Sequence, residues 1–322
     1  MDGTARPGQV PAREVATDLR ELKSLVPARR RITGERRDPS QRPGELRVLA
    51  WNVAHGRDFP PRPSRRRFRS LLFRTTLYDE THVQVNRSLY EEFAAVLAAR
   101  DWDVCVLQEF PPRWADQLAE RCDAVAFGAL TSRNWLAPLR NLVAERNPDL
   151  MGSWEGGSNL TLARPPWRIV EASSVLLNPL RERRLRERRR LALTRLVEGD
   201  REVCVGNLHL TAGAPEQAAR EARRAADIAG DWAHGVPLLL AGDFNLRPQT
   251  AAVFDDLCER GALCGTTSPG GLDHILARGL ETLKPPAPWA PEQRELDVLA
   301  GLERRRLRLS DHAPVEACFR VR

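Results

Sequence analysis

Lysine is almost missing from this chain. Of its 50 basic residues only Lys23 and Lys284 are lysines and 48 are arginines; against 43 acids they leave a net charge of +7. Guanidinium forks match phosphate oxygens bidentately, so this balance favours phosphate-bearing partners. Arginine-for-lysine usage also follows genome base composition, so charge alone selects no substrate. Equally missing is any apolar segment approaching the roughly 20 residues a membrane span needs, and Met1 to Val10 carry no apolar signal-peptide core. The six cysteines lack metal-ligand spacing: Cys105, Cys204 and Cys318 sit inside apolar runs, while Cys122, Cys258 and Cys264 are scattered. Buried free thiols, rather than ligands or disulfides, in a reducing cytoplasm are the expectation. What is present is 322 residues, 42% of them hydrophobic, enough for one large domain or two ordinary ones.

Residues 1–45 are polar and proline-containing, with basic clusters at Arg29–Arg31 and Arg36–Arg37 and one helical pattern over Glu14–Val26. They read as a basic, partly disordered appendage to a domain spanning 46–322. From Leu46 onward, apolar strand-like runs alternate with amphipathic helical patterns at 88–100, 113–121, 215–232 and 249–260. That alternation taken alone favours a parallel, doubly wound sheet. Between Arg57 and Arg74 lies a stretch with seven arginines and one acid, Asp58, which suits either a polyanion grip or a solvated insertion. The run Arg181–Arg190 carries the same ambiguity, and residues 122–158 show no clear period.

Polar groups collect at strand ends. The buried-strand run Val236–Ala241 stops at Gly242, and Asp243 and Asn245 follow at period two, so extended backbone points them the same way. A carboxylate and an amide delivered together suit proton transfer or phosphate chemistry, although either residue also suits a helix cap. Asn52 ends the strand over 45–55, Glu109 ends 103–109, and His209 ends 202–210 on the same side as Val203, Val205 and Asn207. Asp273 enters a short apolar strand, where a carboxylate needs a partner. Asp311 and His312 stand before the last strand.

The ordered set Trp51-Asn52, Gln108-Glu109, Asn207-Leu208-His209-Leu210, Gly242-Asp243-Phe244-Asn245, Leu272-Asp273-His274 and Ser310-Asp311-His312-Ala313-Pro314 resembles the endonuclease/exonuclease/phosphatase superfamily of metal-dependent phosphoesterases. Asn159–Arg164 and Glu187–Arg189 resemble weaker segments of the same family. The resemblance implies an α/β fold: a four-layer α/β/β/α sandwich of two mostly antiparallel sheets flanked by helices. It implies that Glu109, with Asn52 and Asp311 close by, holds a divalent cation, magnesium with manganese as a possible substitute. It further implies that His312, backed by Asp273, faces the scissile phosphate, that Asp243 works on the attacking water with Asn245 holding the geometry, and that His209 donates to a phosphate oxygen.

Two positions depart from the pattern. Ala54 stands where the DNA-repair members carry an acid, which weakens a second metal site, and Ser158 stands where a tyrosine is frequent. The Asn-Leu-His-Leu segment resembles the branch containing deoxyribonucleases, sphingomyelinases, deadenylases and phosphoinositide phosphatases. A phosphodiester-hydrolysing nuclease is therefore expected, with Asn159 and the basic Arg65, Arg66 and Arg67 contributing to substrate binding and no protein partner indicated. A phosphatase of small or lipid phosphates is the alternative enzyme, and a catalytically silent nucleic-acid-binding scaffold the alternative of another class.

Overall fold

The computed structural model of the protein describes residues 43–59, 77–78, 81–131, 137–148, 156–178, 188–300 and 303–322. The expected helix at 14–26, Arg65, Arg66 and Arg67, and the charged run up to 187 lie outside the described residues. In the first half, β1 (Glu45–Asn52) and the short β2 (Leu77–Tyr78) and β3 (Val83–Gln84) precede α1 (Tyr90–Ala98), β4 (Val104–Phe110), α2 (Ala115–Cys122), β5 (Val125–Leu130), α3 (Ala137–Arg146) and β6 (Ser158–Ala163). Then come β7 (Arg168–Leu176), β8 (Arg190–Glu198), β9 (Arg201–His209), α4 (Pro215–Ala233), β10 (Leu238–Asp243), α5 (Val253–Gly261) and β11 (Asp273–Arg278). The chain closes with β12 (Glu281–Pro288), the hairpin β13 (Glu295–Ala300) and β14 (Glu303–Arg308), and β15 (Val315–Arg320).

A six-stranded sheet runs in the order β12-β15-β1-β4-β6-β5 and a five-stranded one in the order β11-β10-β9-β8-β7. Within them β1 pairs with β4 and β9 with β10 in parallel, and the remaining neighbours are antiparallel. The parallel sheet expected from alternation is thus overturned. Its physical reason is visible at Gly199, whose φ of +60° closes a tight turn between β8 and β9; strands joined so closely can only pair antiparallel.

Period two in β1 sorts its residues into two layers. Leu46, Val48 and Ala50 face the second sheet and meet Val203, Val205, Leu239, Ala241 and Ile275 between the sheets. Leu49 and Trp51 face outward, under α1 and α2, among Phe93, Leu97, Trp102 and Leu118. On the far side α4 lays Ala218, Ala222, Ala225, Ala229 and Ala233 on Leu193, Leu208 and Leu240; side chains this small let helix and sheet approach closely. The result is the four-layer α/β/β/α sandwich.

One polar group ties the outer layer together. Arg164 is buried, its guanidinium 3.6 Å from the Trp102 ring centroid. It donates to the carbonyls of Cys122 at 2.9 Å, Arg100 at 2.6 Å and Leu97 at 3.2 Å. These carbonyls lie at and just beyond the C-terminal ends of α1 and α2, where a cation also meets the negative end of each helix.

The cysteine expectation needs a correction. Cys105, Cys122, Cys204 and Cys318 are buried and not in disulfides, but Cys258 and Cys264 form a disulfide across six residues. The end of α5 reverses at Ala262, with φ 51°, and returns Cys264 to a Cα–Cα distance of 4.7 Å from Cys258. That left-handed cap was not legible from the spacing, and the pairing removes this cysteine pair from the argument for a reducing compartment. Among the described residues no helix is long and apolar enough to cross a membrane.

Candidate active site

Strand ends from both sheets converge on Asp243. Gly242, with φ +136°, makes this possible: a Cβ there would lie 2.1 Å from the Leu208 carbonyl oxygen, so only glycine lets β9 and β10 close up before the chain turns. The register then sets Asp243 beside His209 on one side and Asp273 on the other. Asp243 Oδ1 accepts from the Asn245 backbone N–H at 2.9 Å, and Oδ2 accepts from Asn52 Nδ2 at 3.0 Å. His209 Nε2 stands 3.5 Å and His312 Nε2 3.9 Å from that same Oδ2. Asn245, itself left-handed at φ 52°, is pinned by its Nδ2 donating to the Leu210 carbonyl at 3.0 Å.

The two imidazoles have opposite surroundings. His312 Nδ1 lies 2.7 Å from Asp273 Oδ2. Burial alone would lower its pKa, but the hydrogen bond and charge of Asp273, with Asp243 and Asp311 behind, raise it to about 10. His209 Nδ1 instead faces Arg189 Nη1 at 3.0 Å. A guanidinium only donates, so Nδ1 accepts and the ring hydrogen sits on Nε2, toward Asp243. Burial, then Arg189, holds His209 well below the usual imidazole range. For Asp243, burial and the neighbouring Asp273 charge outweigh His312, Asn52 and Asn245 and raise the carboxyl to about 7.

Glu109 forms the other half of the site. It occupies a bulge of β4 opposite β6, with a left-handed φ of 48° that turns its side chain out of the ladder. Its Oε1 lies 3.4 Å from Asn52 Nδ2 and 3.7 Å from His209 Nε2, and its Oε2 3.3 Å from His55 Nε2. Ser310 ties the last loop in: its hydroxyl donates to the Asn52 carbonyl at 2.6 Å and accepts from the His312 backbone N–H at 3.1 Å. The Trp51 indole donates to the His312 carbonyl at 3.0 Å.

Asn52, Glu109, His209, Asp243, Asn245, Asp273 and His312 are therefore brought together. Asp311 is exposed on the same turn, 3.5 Å from the Ser310 hydroxyl. Asn159 is buried and spends its Nδ2 on the Arg190 carbonyl at 2.8 Å, so it anchors the segment carrying Arg189. Sequence reasoning did not single out His55; it named Ser310 and Arg189 only within family-like segments and gave neither a role. Nothing local in the sequence distinguishes a histidine in a left-handed turn from any other.

A family model described as the Endonuclease/Exonuclease/phosphatase family matches residues 49–312. The chain belongs to this family. No curated protein matches it by sequence. Among solved structures it resembles an endonuclease/exonuclease/phosphatase family protein from Bacteroides thetaiotaomicron, with TM-score 0.59 and 16% identity over 85% of this chain and 94% of that one. A mannosyl-6-phosphatase from the same organism gives TM-score 0.56 and 16% identity, covering 84% and 98%. The human Nocturnin catalytic domain gives 0.53 and 17%, covering 90% and 97%. At such identities these relatives share the fold.

Members of the endonuclease/exonuclease/phosphatase family are generally divalent-metal-dependent hydrolases of phosphoesters, and the donors present suit a hard cation. Asp243, Asp273 and His312 offer ligand atoms within 4.8 Å of one another. There, however, the 2.7 Å hydrogen bond already occupies Asp273 and one ring nitrogen. Glu109, with 24% of its side chain exposed and the Asn52 amide beside it, presents carboxylate oxygen at the mouth instead.

Proposed function

We propose that this chain is a metal-dependent phosphodiesterase acting on nucleic acid. The observation that carries the reading is the position of Asp243, a buried carboxylate held by Asn52 and Asn245 between two imidazole Nε2 atoms. A carboxyl raised to about 7 takes a proton from water near neutral pH far more readily than an ordinary aspartate does. Asn245 and Asn52 fix the direction from which it does so. His312, charged and backed by Asp273, directs Nε2–H at the phosphate as negative charge develops, and His209 offers a neutral Nε2–H from the opposite side. Glu109 and Asn52, with Asp311 nearby, would hold magnesium, or manganese in its place. Such an ion, when bound, neutralises charge on a phosphate or leaving oxygen.

The preference for a polynucleotide rests on arginine. Arg189 backs His209, and β14 carries Arg304, Arg305, Arg306 and Arg308 directly into the Ser310–His312 turn. The segment around Arg65, Arg66 and Arg67 follows His55 in sequence. Arginine-rich segments next in sequence to His55 and to the Ser310–His312 turn suit successive phosphates better than one compact ester, and predict steep salt dependence. The test is a panel of supercoiled DNA, single-stranded DNA, RNA and small mono- and diesters with magnesium or manganese, comparing wild type with His312→Ala. Polynucleotide cleavage lost in the variant supports the proposal. Activity confined to small or lipid phosphates replaces the substrate with that of a phosphatase, and silence across the panel favours a binding scaffold.

A further inference from the structure

His55 has no part in the steps above, yet the fold spends an unusual turn on it. Ala54, His55 and Gly56 are left-handed in succession, with φ of 48°, 55° and 71°. Only glycine holds such backbone without strain, so Ala54 and His55 occupy a conformation the surroundings must impose. Those surroundings are specific. The Ala54 N–H is taken by Asn52 Oδ1 at 3.0 Å, and the Gly56 N–H by the Val53 carbonyl at 2.8 Å. A Cβ on Gly56 would lie 2.1 Å from the buried Trp114 ring, so the turn is clamped against the outer core. Its product is an imidazole only 6% exposed, with Nε2 3.3 Å from Glu109 Oε2 and Nδ1 buried without a hydrogen-bond partner.

The orphaned nitrogen decides where the hydrogen sits. A buried N–H with no acceptor is rarer and costlier than a bare lone pair. The ring hydrogen therefore belongs on Nε2, which faces Glu109 Oε2 across 3.3 Å. We propose that His55 is a positioning residue for the metal-holding carboxylate. Its Nε2, at ion-pair distance from Oε2 of Glu109, draws that oxygen to one side, so that Oε1, beside Asn52, is the one presented to the cation. The inference rests on the reading of Glu109 as the principal metal ligand. It adds an outer partner of the kind that orients metal ligands elsewhere, supplied here by a strained turn.

The test is manganese binding by the full chain, followed by electron paramagnetic resonance, for wild type, His55→Ala, His55→Gln and Glu109→Ala. His55→Ala is expected to weaken binding on the order of tenfold or more. His55→Gln, whose amide N–H can reach the same oxygen, recovers part of it. Nitrogen-15 spectra of wild type should show Nε2 of His55 protonated and Nδ1 bare, a readout that needs no variant to fold. Unchanged manganese affinity in a folded His55→Ala overturns the proposal. So does nitrogen coupling from His55 to bound manganese, which would make it a ligand. Manganese binding that survives Glu109→Ala instead sinks the underlying assignment, and the two failures are separable.

Discussion

Asn207 lies fully buried between the two sheets, two residues before His209, and replacing it tests whether the polar bridge across the sandwich is structural. Its Oδ1 accepts from Gln108 Nε2 at 2.8 Å, and its Nδ2 donates to the Leu160 carbonyl at 3.0 Å, with longer approaches to the Leu107 carbonyl at 3.3 Å and Thr161 Oγ1 at 3.5 Å. Asn207→Leu keeps the approximate shape and removes all of these. Gln108 Nε2 is then buried without an acceptor, at a cost of about 1–3 kcal/mol, and the bond to Leu160 is lost, at about 1 kcal/mol. A loss of roughly 2–4 kcal/mol is expected in urea denaturation. Gln108 Oε1 already lacks a partner, so Gln108→Leu added to Asn207→Leu removes both orphans at once. Replacing both members of a buried pair by apolar groups is often near neutral, so the double variant should regain about 1 kcal/mol or more of what the single lost. A single variant costing under about 1 kcal/mol, or a double variant whose losses simply add, refutes the reasoning.

Three further outcomes are expected. Asp273→Asn removes the hydrogen bond and charge that contribute most to raising His312 to about 10, leaving burial against Asp243 and Asp311; the pKa then drops toward the ordinary imidazole value, and activity should fall as pH rises through about 6.5, whereas wild type keeps the imidazolium. A pH–rate profile unchanged by the substitution excludes this pairing. Glu295, 4% exposed in its side chain, is held below its ordinary value of 4.5: burial pushes it up, but hydrogen bonds from His82 and Arg308 outweigh that. Its stabilisation is present above that value and is lost as pH falls through the lower folded pKa. Glu295→Gln should therefore cost about 1–3 kcal/mol at pH 7 and progressively less below about pH 4, as read by urea melts across pH. Joint replacement of Cys258 and Cys264 by serine should cost about 2 kcal/mol for a loop this short, and reductant should lower the wild-type melting temperature in the same direction; a melt insensitive to both contradicts the staple.

The sequence made the strand-end chemistry legible because burial and alternation are local. Val203 and Val205 do face the core between the sheets, while Asn245 reaches the Asp243 site by a left-handed turn at φ 52° and not by the extended backbone that its period-two spacing suggests. The sandwich topology was legible only through family resemblance, since β1 pairs on one side with β4, some fifty residues on, and on the other with β15, more than two hundred and sixty residues on. Strands β5, β12, β13 and β14 were not anticipated: β5 is an edge strand with little buried, and β12 carries three prolines. Backbone reversals were the least accessible. The left-handed residues His55, Glu109, Asn245 and Ala262 aim a ring, a carboxylate, an amide and a disulfide, and none is a glycine that would announce the turn.

On the proposed function, Asp243 and a cation held at Glu109 act together on a phosphodiester. The most direct measurement is hydrolysis of one simple diester, bis(p-nitrophenyl) phosphate, by wild type, Asp243→Asn and Glu109→Ala, each with magnesium, with manganese and with chelator. The account predicts turnover that needs the ion and falls by about a hundredfold or more in both variants while their melting curves persist. Turnover that is equal in chelator, or unchanged in either variant, would contradict it.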